Sequence, residues 1–453
     1  MTALLYLLGV VIFVVAILVS IGLHELGHLI PAKRFGGKVT QYFIGFGPTV
    51  WSRQVGETEY GVKAIPLGGY VKIVGMLPPG AEQLADEVTL DADGNQVTRV
   101  RKSNTGMFTQ LISDARTAEW ELVGPEDGPR LFYKLPPWKK IVVMAGGPTV
   151  NLLIAFFLFL LVFSTYGVKS QEVDAGPPVL DVVSQCVLPY EESGRACRDT
   201  DPVSPAVEAG LRPGDQITSF NGVAITDWEQ LRTLITENGA GRAEIGYLRD
   251  GEQRTGTTST EVETRPTSAT DETLREVGFL GVAPTTHIVT ETGGPLFTLR
   301  QMGQMTVDTL HGLATLPVKV WDVGRAIVGL EERAADSPMS IVGGGRLAGE
   351  TVSHEEFPLV EKSVFLLTLI AGFNFFIGMF NFVPLLPLDG GHIASASWEW
   401  LRRGAARLRR RPDPGYVDAA KLLPVAYVVA SAMMVMGLVL IVGDLVVPLS
   451  LTQ

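Results

Sequence analysis

Residues 24–28 read His-Glu-Leu-Gly-His. A spacing of four puts His24 and His28 on one face of a helix, with Glu25 beside them. Two neutral imidazoles so placed can ligate one Zn²⁺, and a glutamate that is not itself a ligand can take a proton from a water at the metal. The run from Leu4 to Leu23 carries no charged side chain. Each ionisable group set in hydrocarbon costs about 2.5–3.5 kcal/mol or more. A polar cluster that only joins helices gives no reason for two His and one Glu at this spacing, so the pattern predicts a metal centre inside a membrane helix.

A zinc held by two histidines needs a third protein ligand and an open position. The segment "NFVPLLPLDGGH" at 381–392 offers one. Pro384 and Pro387 break the third apolar segment of the chain, and Asp389 follows the break. Asp389 is the preferred third ligand and His392 its rival. Asn381 is either a donor to the oxyanion or substrate backbone, or a contact between helices. In "AGGPTVN" at 145–151, the Gly146-Gly147-Pro148 step permits close backbone approach, and Asn151 needs a partner.

These residues need a membrane scaffold. The chain has 453 residues, 46% hydrophobic and only 19% charged, with a mean hydropathy of +0.24. Apolar segments at 4–30, 141–168, 364–388 and 422–447 can each cross about 30 Å of hydrocarbon as a helix. The first lacks a basic leader and a small-residue cleavage site, and is read as retained. Residues 31–140 hold 14 Lys/Arg against 12 Asp/Glu, residues 169–363 hold 16 against 30, and residues 389–421 hold seven against four. The positive-inside rule puts the first and third of these loops in the cytoplasm and the second outside. A net charge of −11 argues against nucleic acid as a partner. The basic run at 402–411 is read as a juxtamembrane anchor on anionic lipid. Cys186 and Cys197 lie in the outer region, where a disulfide between them is plausible.

Between the spans, "TEYGVKAIPL" at 58–67 and "GYVKIVGM" at 69–76 read as hairpin strands. Much of 77–137 reads as cytoplasmic loop, with a helix near 105–120. Residues 180–262 form a compact α/β unit. "SPAVEAG" is a helical turn closed by Gly210, "NG" at 221–222 is a tight turn, Asp227 caps a helix to 239, and "RDGE" turns a hairpin. Such a unit offers an edge strand beside a helix, suited to adding a peptide as a strand. The loop around Gly210, Leu211, Gly214 and Asp215 is the candidate cradle for a freed peptide carboxylate.

Together, "HELGH", "IGFGP" at 44–48, "PLGGYVK" at 66–72, "AGGPTVN", "AGLRPGDQI" at 209–217 and "NFVPLLPLDGGH" resemble the bacterial site-2 proteases, over nearly the whole chain. These are M50-like zinc metalloproteases that cut transmembrane helices. The resemblance implies a polytopic helical membrane protein in the bacterial cell membrane, with four transmembrane helices, a membrane-associated β-hairpin and an extracytoplasmic PDZ-like domain. It implies Zn²⁺ on His24, His28 and Asp389, Glu25 as the catalytic base, and a substrate-holding β element containing Gly68, Gly69 and Tyr70. It implies single-span substrates of the anti-sigma-factor type, trimmed first by a site-1 protease. The expected order is helix 1 (1–35), β element and loop (36–138), helix 2 (139–168), an outer region (169–294) and amphipathic surface helices (295–362). Helix 3 (363–392), a basic loop (393–421) and helix 4 (422–447) complete it. The rival readings are a metal transporter, which would show ionisable groups along a path on several helices, and a non-catalytic PDZ scaffold.

Overall fold

The computed structural model describes residues 2–78, 89–90, 96–97, 107–120, 123–190, 195–268 and 271–449. It divides into two compact units, residues 1–166 with 293–453, and residues 167–292. Of the loop expected over 77–137, residues 79–88, 91–95, 98–106 and 121–122 lie outside the described residues.

The first unit opens with helix α1 (Thr2–Arg34). Strands β1 (Val39–Val55) and β2 (Thr58–Ile73) follow, and both bend back on themselves. Gln41 faces both Glu59 and Lys72, Tyr42 faces Tyr60 and Val71, and Ile44 faces Val62 and Gly69. Residues 39–44 thus lie between the two halves of β2. The two segments read as hairpin strands do not pair with each other; each pairs with a different side of β1. Residues 69–73 are left as an edge. Gly45 permits the bend, with φ of 92° and a would-be Cβ 2.8 Å from the Ile65 carbonyl oxygen. The Tyr42 hydroxyl donates to the Gly22 carbonyl of α1 at 2.8 Å and holds the sheet against that helix. A short pair, β3 (Thr89–Leu90) and β4 (Gln96–Val97), precedes α2 (Met107–Trp120) and α3 (Pro137–Thr165).

The second unit runs β5 (Val168–Val173), β6 (Leu180–Val183), α4 (Pro205–Glu208), β7 (Gln216–Phe220), β8 (Val223–Ala224), α5 (Trp228–Asn238) and β9 (Arg242–Arg249). It closes with β10 (Glu252–Ser259), β11 (Glu261–Ser268), β12 (Asp271–Phe279), β13 (Val282–Pro284) and β14 (Thr286–Glu291). A four-stranded sheet has the order β10-β9-β7-β8, and β11–β12, β6–β13 and β5–β14 form pairs. The turn chemistry is as the sequence reads. Asn221 and Gly222 have φ of 48° and 80°, Asp250 and Gly251 of 53° and 82°, the signs that type I′ hairpins require. Asp227 caps α5 by accepting the Gln230 N–H at 2.9 Å. Ile217, Phe220, Leu231, Ile245 and Leu280 fill the core, and Cys186 and Cys197 are bridged.

The chain returns to the first unit with α6 (Pro295–Ile327), α7 (Ile341–Ser353), α8 (Leu359–Asn381), α9 (Asp389–Leu408) and α10 (Leu423–Val446). Four helical segments, at 2–34, 137–165, 359–381 and 419–446, are long and apolar enough to cross a membrane. The chain is a polytopic helical membrane protein with additional β structure. Two stretches differ from expectation. The basic loop expected at 393–421 is helical to Leu408. The segment expected to carry only surface helices contains α7, whose glycine-rich face is buried. Small residues there admit neighbours that a longer side chain would exclude: a Cβ on Gly344 would sit 2.7 Å from the rings of Phe13 and Phe373. Asp444, buried in α10, secures the start of α7. Its Oδ2 accepts from the Ser340 N–H at 2.7 Å and the Gly343 N–H at 3.1 Å, while Arg333 pairs with Oδ1 at 2.8 Å.

The loop Gly210–Asp215 departs from its expected role. The N–H groups of Gly210, Leu211, Gly214 and Asp215 bond to the carbonyls of Val207, Ala206, Leu180 and Arg212. The Arg212 N–H bonds to Asp215 Oδ2 at 2.7 Å, and Pro213 has no N–H. No backbone donor in the loop is left to cradle a carboxylate. The loop is instead built around buried Asp215, which Arg249 grips through Nε and Nη2, each at 2.7 Å. Burial raises the Asp215 carboxyl, but the bonds from Arg249 and the Arg212 N–H outweigh it and hold the group below the usual range. A depressed carboxyl stabilises the fold above the ordinary carboxylate range, near ~4, and that stability is lost as pH falls through the folded value. Asp215→Asn is therefore expected to destabilise this unit by about 3 kcal/mol at neutral pH. Amide hydrogen exchange of residues 167–292 in the full chain measures it, and the gap to the parent should close as pH drops below ~4.

Candidate metal centre

α1 carries His24, Glu25 and His28 to one end of an apolar run, and the chain break after α8 delivers Asp389 as the first residue of α9. The Nε2 atoms of His24 and His28 lie 3.2 Å apart, and Asp389 Oδ2 lies 3.4 and 3.3 Å from them. A tetrahedral zinc site with bonds of about 2.0–2.1 Å has ligand–ligand edges of about 3.3–3.4 Å. The tautomers agree with that geometry. His28 Nδ1 lies 2.8 Å from the Val143 carbonyl oxygen, which can only accept, so Nε2 keeps its lone pair. His24 Nδ1 lies 3.0 Å from Asn151 Oδ1 and donates to it in the same way. Two nitrogen lone pairs and a carboxylate oxygen then converge on one point. A cation resolves the repulsion among them, and the donor set, two imidazoles and one carboxylate, is one that zinc accepts. Among the described residues this is the cluster able to hold a metal.

α3 makes room for it. Cβ atoms on Gly27 of α1 or Gly146 of α3 would collide with the partner helix's backbone, and one on Gly147 would collide with both Nε2 atoms. On the other side, the edge of β2 presses on the acid: a Cβ on Gly69 would lie 2.8 Å from Glu25 Cγ. A cavity of about 480 Å³ opens here, and Glu25, Gly68, Gly69, Tyr70, Asn381 and His392 are among its lining residues. Asn381 ends α8. The rival His392 shares the cavity but stands outside the His24–His28–Asp389 cluster.

Two supports carry no local signal in the sequence. The Val143 carbonyl leaves no trace in it. Asn151 needs a partner in an apolar helix, but nothing near it names His24. A buried pair, Lys140 of α3 with Glu399 of α9 at 2.8 Å, likewise has no sequence signal, since neither residue announces the other across the intervening chain.

The comparisons with known proteins bear on this arrangement. The profile of Peptidase family M50 matches residues 12–412. The chain is 32% identical to zinc metalloprotease Rip1 of Mycolicibacterium smegmatis, over 98% of this chain and 99% of that protein. It is 31% identical to Rip1 of Mycobacterium tuberculosis, over 99% and 100%. It is 26% identical to the regulator of sigma-W protease RasP of Bacillus subtilis, over 69% and 79%. With a cluster of zinc-like spacing beside a glutamate, the family profile over most of its length and the two Rip1 proteins matched nearly end to end, this chain belongs to peptidase family M50 and is a site-2-protease-like zinc metalloprotease.

Proposed function

We propose that this chain carries out regulated intramembrane proteolysis, cutting a single-span membrane protein of the anti-sigma-factor type after a site-1 protease has trimmed it. The observation that carries the proposal is a partly buried His-His-Asp cluster beside Glu25, opening to a cavity among helices of membrane-spanning length. The printed name of the Bacillus relative, regulator of sigma-W protease, supports the substrate class.

His24, His28 and Asp389 would hold the zinc, which supplies Lewis acidity toward a water and the scissile carbonyl. Glu25 takes the proton from the attacking water and returns it to the leaving amine. Asn381 donates to the carbonyl oxygen as negative charge develops there. A helix hides each carbonyl in an intrahelical hydrogen bond, so the substrate must first unwind. The edge at 69–73 suits an extended segment that adds as a strand beside Gly68, Gly69 and Tyr70. The charge pattern favours cytoplasmic placement of 31–140 and 389–421, in a bacterial inner membrane. Residues 167–292 would then form an extracytoplasmic PDZ-like unit that excludes untrimmed substrate rather than gripping a carboxylate through the loop at Gly210–Asp215. A transporter is less well supported. Asp444, an ionisable group on a spanning helix away from the cluster, is committed to Arg333 and the start of α7.

Three outcomes test the proposal. Asp389→Ala should lower zinc content at least tenfold while His392→Ala leaves it intact, by elemental analysis of the purified chain. Glu25→Gln should keep zinc but cut substrate at least about 100-fold more slowly; retained cleavage on an immunoblot removes Glu25 as the base. Replacing 175–284 with a short linker, so that β5 and β14 stay paired, should allow full-length substrate to be cut. If only pre-trimmed substrate slows, the unit recruits; if neither rate changes, it gates nothing.

A further inference from the structure

We infer that one face of α3 is the template that positions the metal ligands, and that Asn151 is a positioning residue for His24. The inference rests on the reading of His24, His28 and Asp389 as metal ligands. Residues 140, 143, 147 and 151 recur at three- and four-residue spacing, so they share a helix face. Each meets one requirement of the cluster. The Val143 carbonyl orients the His28 ring. Gly147 leaves both Nε2 atoms their space. Asn151 Oδ1 orients His24. Lys140 reaches Glu399 on α9, the helix whose first residue is Asp389. A single helix therefore touches both elements that supply ligands.

Asn151 is the member that meets a histidine through a side chain, so it can be altered without moving backbone. It is 1% exposed, and its oxygen faces across to α1. Buried asparagines in this fold do not all do so. Asn374 of α8, 0% exposed, donates to the Ile370 carbonyl of its own helix at 2.9 Å. Helix packing alone therefore does not require Asn151 to reach for an imidazole. Its contact fixes which His24 nitrogen carries the proton and which way the ring faces. Without an acceptor at that point the ring is free to change tautomer or turn, and one ligand becomes unreliable.

The experiment measures zinc affinity of the full chain in detergent against zinc buffers, with cobalt substitution as an optical report of ligand geometry. Asn151→Leu, close in volume but without an acceptor, should bind zinc about 10–100-fold more weakly and alter the cobalt absorption bands. Asn151→Asp keeps the acceptor and should match or exceed the parent. Asn374→Leu, an equally buried change, should leave zinc affinity alone. Parental affinity in Asn151→Leu overturns the inference, as does loss of zinc in Asn151→Asp. The Asp variant decides the matter if the Leu variant fails to fold by circular dichroism. If the parent binds no zinc, or His24→Ala binds it as well as the parent, the metal-site reading itself has failed.

Discussion

The structure depends on one close approach. α1 and α3 meet at Gly27, Gly146 and Gly147 with backbone against backbone, and a single Cβ at any of the three would strike the opposing helix or the imidazoles. Lipid offers no hydrophobic drive for helices to associate, so such contacts rest on close packing and hydrogen bonds. Here the tightest crossing and the metal cluster occupy the same helical turn. The packing that joins two spans also brings the carbonyl of Val143 and the amide of Asn151 within reach of the histidines. A looser crossing would leave those ring nitrogens unbonded in a place where water is scarce.

Two buried carboxylates of the helical unit, Glu399 and Asp444, are dealt with by the same logic, in pairs that tie one element to another. Glu399 accepts from Lys140 and also faces Arg403 at 3.1 Å. Asp444 joins α10 to the start of α7. Each pair is weak evidence of net stability, because desolvation offsets much of the attraction, yet breaking one leaves an unpaired buried charge. Their effect is to set register. They fix α9 against α3 and α7 against α10, where apolar contacts alone would permit sliding.

The chemistry was legible in the sequence because it is carried by local spacing. His24, Glu25 and His28 need only a helix to converge, and Asp389 stands out as a carboxylate after a proline break. The same holds for the turns at Asn221-Gly222 and Asp250-Gly251 and the cap at Asp227. What could not be read depends on distant partners. The β1–β2 sheet folds back so that 39–44 lie between two segments that seemed to pair with each other. α7 falls in the stretch expected to be amphipathic surface helices, and its glycines are what allow burial. The loop at 210–215 resembled an anion cradle by composition, but Asp215 and nearby carbonyls occupy its donors. Motif residues report what a loop can do; the hydrogen bonds already made report what it is free to do.

The lining of the cavity constrains how a proposed substrate is presented. Glu25 lies against Gly69 at the edge of β2, so an extended segment laid along 69–73 would pass close to the acid. The edge strand then has two consequences at once. It offers backbone partners to a segment that has given up its helical hydrogen bonds, and it offsets part of the cost of unwinding in an apolar medium. A second helix in its place would satisfy its own backbone and have nothing to exchange, which is a physical reason for a membrane protein to keep an open strand edge beside a metal centre.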